Sequence, residues 1–141
     1  MGIRVLLMIA LIVTPAWTET KKSEVKVDPA LKGKWEIVSG KFNGNESPMV
    51  KGRILKFGNG ELTTYFDDDD KDLTVQITLD SSAKPKQIDI EERFEGMALG
   101  IYTIEKDILR ICYAERGGDR PTKFESAVGE RVFLLVLKRK E

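Results

Sequence analysis

"LTVQITLD", residues Leu73 to Asp80, decides the fold. Leu73, Val75, Ile77 and Leu79 alternate with Thr74, Gln76 and Thr78, so one face is apolar and the other is polar. Successive side chains of an extended chain point to opposite sides, and this strict period of two marks a strand with one face buried and one face wet. The same alternation recurs on either side. "GRILKFGNGELTTYF" (Gly52 to Phe66) reads as a hairpin, with Arg53 to Phe57 and Glu61 to Phe66 joined through Gly58-Asn59-Gly60. Upstream, "KWEIVSGKF" (Lys34 to Phe42) is a strand and "NGNESP" (Asn43 to Pro48) carries turn chemistry. Downstream, "SSAKP" turns the chain into "KQIDIEE", a weaker strand. "EGMALGIYTIEKDILRICYA" holds two more strands around Glu105-Lys106-Asp107, and "RVFLLVLKR" (Arg131 to Arg139) closes the series.

Eight strands in order, with short links and no long helix, predict an all-β fold: an up-and-down antiparallel barrel or a flattened sandwich. Closure into a barrel removes the edges that an open eight-stranded sheet would expose. The last strand is apolar on both faces and needs cover on its outer side, which a turn N-terminal to the first strand can supply. Asp28-Pro29 offers an N-cap followed by proline, so one helical turn is expected before Gly33.

The 141 residues suit one domain. Basic and acidic residues balance at 23 each, so no electrostatic footprint for nucleic acid is present. The chain begins "MGIRVLLMIALIVTPAWTET", with Arg4 ahead of an apolar run from Val5 to Val13 and small residues after Pro15. That order is the pattern of a secretory signal peptide, and the run is far shorter than the ~20 residues a transmembrane helix needs. Residues 1–18 are therefore read as a signal peptide, cleaved after Ala16 or Thr18, residues 19–30 as an exposed leader, and residues 31–141 as the barrel. No cysteine follows the run, so a lipid anchor on a mature N-terminal cysteine is not expected. A secreted or periplasmic protein without a membrane span is.

Histidine is absent from the whole chain. Ser-His-Asp and Cys-His catalysis are excluded, and so are the commonest zinc ligands. Cys112 is the single cysteine and cannot form an intramolecular disulfide. Within "DILRICY" it reads first as a small buried hydrophobe, with an intermolecular disulfide and a reactive thiol as the other options. A nucleophilic Cys112 would need Arg or Lys neighbours to lower its pKa. The run "DDDDKD" (Asp67 to Asp72) lacks the glycine and distal glutamate of a calcium loop and reads as a solvated hairpin tip. Asp89 and Glu91 alternate onto one face, the arrangement glycoside hydrolysis would use, but no aromatic platform accompanies them. Neither an enzyme, a metal nor a cofactor is expected.

Two orientations are open for "ILRICYA". If Ile108, Arg110 and Cys112 face inward, Arg110 is a buried charge in need of a partner. If Leu109, Ile111 and Tyr113 face inward, Arg110 is exposed and Cys112 points outward. The second face is the more apolar.

Gly33 and Trp35 stand at the start of the first strand and Arg139 at the end of the last, and a closed barrel makes those strands neighbours. Gly-x-Trp with a terminal arginine resembles the lipocalin and calycin pattern, in which the pair plugs one end of the barrel. "LKGKWEIVSGKFNG", "ITLDSSAKPKQIDI" and "LGIYTIEKDILRICYAERGGDRPTKFES" resemble an uncharacterised lipocalin-like domain family known mainly from secreted planctomycete proteins. The resemblance covers about Leu31 to Arg139, and its most distinctive marks are Cys112, Arg120, Pro121 and Phe124. It implies a lipocalin-like barrel of unassigned ligand. By the parity of Trp35 and Arg139, the inward candidates are Ile37, Phe133, Leu135 and Leu137, with Tyr65 and Tyr102 near a rim. The functional expectation is a lumen for a small apolar ligand. The alternative is a filled barrel acting through its loops as a protein-interaction or cell-envelope structural domain.

Overall fold

The computed structural model describes residues 28–66, 71–91 and 96–140. Its strands are β1 (Gly33–Phe42), β2 (Asn45–Glu46), β3 (Ile54–Phe57), β4 (Glu61–Tyr65), β5 (Lys71–Asp80), β6 (Lys86–Glu91), β7 (Met97–Glu105), β8 (Ile108–Ala114) and β9 (Val132–Lys140). Each pairs antiparallel with the next around the ring, except that β1 passes over β2 to pair with β3, and β9 returns to β1. The result is a closed eight-stranded antiparallel barrel, with β2 as an extra two-residue strand on one end of β1.

The eight expected strands are all present. Alternation explains the inner face: Trp35 and Ile37 of β1, Leu55 and Phe57 of β3, Leu62 of β4, Ile77 and Leu79 of β5, and Leu135 and Leu137 of β9 join one buried cluster. On the closing seam Trp35 lies opposite Arg139 and Ile37 opposite Leu137. A bulge between Ile37 and Ser39 then resets the register, so that Gly40 faces Leu135 and Phe42 faces Phe133. One added residue of this kind bends a strand, as closure requires. Gly40 is needed for close approach: a Cβ there would stand 2.4 Å from Val50 Cγ2. Its bareness lets the 3-10 turn Pro48–Val50 fold down onto β1.

Four local expectations change. Asp28-Pro29 starts a turn rather than a helical turn, closed by the Leu31 amide on the Asp28 carbonyl at 3.0 Å. Strand β5 begins at Lys71, inside the acidic run, because Lys71 already pairs with Tyr65 across a second bulge. The leader, expected to be exposed as far as Ala30, is buried at Asp28, which is 7% accessible. The 3-10 turn and β2 were not anticipated. The expected signal peptide, residues 19–27 of the leader and Asp67 to Asp70 lie outside the described residues.

The outward face of β7 and β8 is covered by the chain's own β8–β9 connection, whereas Leu134 and Val136 on the outer face of the last strand stay half-buried and the N-terminal turn enters the barrel instead. Leu109 and Ile111 point into the barrel and are fully buried, so Cys112 points outward. Yet Cys112 is also fully buried. The connection, residues 115–131, folds back as a strap, and the Cys112 thiol meets the Glu125 carbonyl at 3.5 Å. Glu115 and Arg131 close its base through a two-point ion pair. Arg120 donates to the Gly100 carbonyl at 2.7 Å and pairs with Asp89 at 2.7 Å, tying the strap across β6 and β7. Ser126 donates to the Val132 carbonyl and accepts from the Gly44 amide. Burial pushes the Cys112 thiol pKa up, and the nearby Glu130 charge adds to this, while the Glu125 contact offsets part.

Replacing Arg120 with Gln should loosen the strap at a cost of about 1–3 kcal/mol, the usual penalty for orphaning a half-buried charge and its carbonyl acceptor. Iodoacetamide should label native wild-type Cys112 far more slowly than the unfolded chain, and the variant at least tenfold faster than wild type. Equal native labelling rates would show that Arg120 does not hold the strap.

Candidate functional site

The two ends of the barrel are built differently. At one end Trp35, Phe57, Ile88, Tyr102, Leu109 and Leu137 are all 2% accessible or less and fill the lumen. The turn from Asp28 to Lys32 inserts beneath them, with Leu31 buried in the same cluster. The Trp35 indole N–H donates to the Leu31 carbonyl at 2.8 Å. Arg139 lies 4.1 Å over the indole ring and donates to the carbonyls of Ala30, at 2.8 Å, and Lys32, at 3.3 Å. One guanidinium therefore caps Trp35 and supplies the turn with donors for two carbonyls. A cation over an indole contributes about 0.5–2 kcal/mol, more as it is desolvated.

Asp28 locks this plug. Its carboxylate accepts from the Tyr102 hydroxyl at 2.7 Å, from Lys86 Nζ at 3.1 Å and from the Ala30 amide at 3.0 Å. Burial raises the Asp28 pKa, but the bonds from Tyr102, Lys86 and Ala30 outweigh it and hold the carboxyl below the usual range. Tyr102 moves the other way. Burial pushes its hydroxyl far above the usual value, and the hydrogen bond to Asp28 and the Asp28 charge push further. Tyr102 is a neutral donor and Asp28 an anion at every physiological pH.

The other half of the barrel is hollow. A cavity of about 330 Å³ lies between Ile37, Leu55, Leu62, Val75, Ile111 and Leu135, with Ala98, Ile90 and Leu73 completing its walls. Among the described lining residues the polar ones, Arg53, Thr64, Glu91 and Tyr113, stand toward the strand ends at its mouth. Beside the mouth, Phe133 stacks on Phe42 at 4.2 Å and on Tyr113 at 4.9 Å. Met49, Phe66 and Met97, each an exposed large apolar side chain, adjoin the lining residues Val50, Arg53 and Ala98.

The residues singled out in the sequence divide between these regions. Ile37 and Leu135 line the cavity. Trp35 and Tyr102 sit in the packed end, so Tyr102 is a core residue rather than a rim residue. Leu137 is packed there too. Phe133 belongs to the aromatic stack. Tyr65 shares its strand face with Thr63, opposite to Leu62 and Thr64, and does not line the cavity. Gly33, Trp35 and Arg139 meet at the barrel end, where a Gly33 Cβ would lie 3.8 Å from the Arg139 guanidinium. Cys112, Arg120 and Phe124 belong to the strap and its footing, and Pro121 lines a shallow polar hollow within it. Asp89 is the ion-pair partner of Arg120 and Glu91 stands at the mouth, so the two carboxylates serve different places. Among the described residues no three acidic or thiol groups converge as a metal site.

Sequence reasoning did not name Arg53, Leu55 and Leu62 as lining residues, although Leu55 lies opposite Trp35 on the neighbouring strand, whereas the inward face it favoured for β8 does carry Ile111. It also missed Asp28, and there no local signal exists: its partners Lys86 and Tyr102 lie 58 and 74 residues away. Compared with family models, with curated proteins and with solved structures, the chain matches none.

An Asp28→Asn variant should lose about 1–3 kcal/mol at pH 7, since the charge-assisted bonds to Lys86 and Tyr102 weaken. A carboxylate whose folded pKa is depressed stabilises the fold above the ordinary pKa near 4, and that contribution disappears as pH falls through the lowered value. Denaturant midpoints of the wild type and the variant should therefore differ most near neutrality and converge toward pH 2–3. A gap that stays constant with pH would mean that the Asp28 charge is not what holds the plug.

Proposed function

We propose that this chain is an exported, non-enzymatic, lipocalin-like binding module that holds one small apolar or amphipathic molecule in the open half of its barrel. The cavity carries this reading. Its volume of about 330 Å³ reaches the ~300–1,000 Å³ typical of ligand pockets, and its walls are aliphatic with a few polar groups at one edge. Eight-stranded barrels of this size can be filled by side chains or keep room for one small ligand. Here one half does each. The packed half with its Asp28–Arg139 plug makes a rigid floor, which is the preorganisation that spares a ligand the cost of ordering its own site.

Export is supported by the arrangement of Arg4 and the Val5–Val13 run in the sequence. A non-catalytic role is supported by the absence of histidine and by a Cys112 thiol that is buried and held neutral. The competing reading, a filled barrel acting through its loops, draws on the packed half and on the strap. It requires that nothing enter the lumen.

Titration with an environment-sensitive lipophilic dye should show saturable one-to-one binding, reversed by medium-length alkyl compounds. Ala98 is buried on the cavity wall, so Ala98→Leu should narrow the lumen and weaken the dye at least tenfold while cooperative unfolding is retained. Dye binding that is absent, or indifferent to Ala98→Leu, would favour the filled-barrel reading.

A further inference from the structure

We infer that the mouth selects its ligand by charge: Arg53 receives the carboxylate of a medium-length alkyl carboxylate whose tail occupies the cavity. This inference rests on the binding reading above and adds the head group and the length. Arg53 precedes β3 with the parity of Leu55 and lines the mouth of the apolar cavity. Its guanidinium carbon stands 4.5 Å over the Phe66 ring. Stacking on a ring face occupies the flat side of the guanidinium and leaves its in-plane N–H donors available. Among the described residues the Arg53 side chain makes no ion pair and no hydrogen bond. It is half-buried, so its charge sits beside low-dielectric walls.

Every other arginine for which a structural role has been traced, Arg120, Arg131 and Arg139, spends its donors on carbonyls or carboxylates. Among the described residues lining the cavity, Arg53 is the cation that keeps its donors. A fork of parallel N–H groups fits a carboxylate with two bonds, and such charge-assisted bonds are about twice as strong as neutral ones. Among the described residues lining the mouth the acid is Glu91, which is solvent-exposed and therefore the weaker electrostatic partner. The volume sets the tail. At the roughly 30 Å³ that each water occupies in the liquid, a cavity of about 330 Å³ takes about ten to eleven heavy atoms.

Three ten-carbon probes with different heads test the assignment on the mature chain: decanoate, decanol and decyltrimethylammonium, each measured by displacement of the lumen-bound dye at pH 7.5 and low salt. Decanoate should bind at least tenfold tighter than decanol. Arg53→Gln should erase that preference while leaving decanol within about twofold of its wild-type affinity, and Arg53→Lys should restore part of it. Affinity along the carboxylate series should rise to about ten carbons and then level off. Equal binding of decanoate and decanol would overturn the head-group assignment while leaving the binding reading in place. So would tighter binding of the ammonium probe, which would point to Glu91 and to the aspartates that follow Phe66 in the sequence. Displacement by none of the three would remove the binding reading and this inference together.

Discussion

The fold depends on one buried carboxylate and one stacked guanidinium at the same end of the barrel. Asp28 accepts three hydrogen bonds, from Tyr102, Lys86 and its own turn, and Arg139 covers Trp35 while donating to the two carbonyls that flank Leu31. Together they fix a short turn inside a β-barrel, where its backbone groups would otherwise go unpaired. Burying a charge is costly unless its hydrogen-bonding capacity is met. Here the turn's own amide, a phenol from β7 and an ammonium from β6 meet it. The plug therefore joins β1, β6, β7 and β9, strands distant in sequence, and removal of any one partner strands the others.

From that floor the rest of the lumen follows. Large side chains crowd the plugged end, whereas the opposite half is walled by Ile37, Val75, Ala98 and Leu135 around the cavity. Among the described residues Phe42, Phe133 and Tyr113 stack in that half, with Tyr113 also lining the cavity. The strap of residues 115–131 performs a separate task. It covers the outward face of β7 and β8, where Ile101 and Cys112 would otherwise present apolar surface to water. The barrel is thus divided in space: a solid end, a covered side and an open half.

How much of this was legible in the sequence depends on the range of each interaction. Strand number, order and inner face were readable, because period-two alternation is local and Leu73 to Leu79 display it without interruption. The pairing of Trp35 with Arg139 was readable by topology, since a closed barrel brings the first and last strands together. The burial of Asp28 was not, because an aspartate before proline looks like an exposed cap until Tyr102 and Lys86 arrive from elsewhere in the chain. Cys112 posed a conflict between outward parity and a buried environment. Both halves were right, and a connection without any periodic pattern resolved it by folding over the strand. Tyr102 was expected near a rim and is at the core, because the sequence of β7 gives no signal of which end of the barrel is plugged. The hollow itself is a property of volumes summed across eight strands, and no window of sequence carries it.

The central claim is that the half of the lumen away from Trp35 is an accessible binding space. A crystal of the barrel chain soaked with a terminally iodinated alkyl carboxylate tests it most directly, through the anomalous signal of the iodine. An iodine peak enclosed by Ile37, Leu55, Ile111 and Leu135 is the result this account requires. A crystal in which side chains meet across that space, with iodine found only on the outer surface, would contradict it.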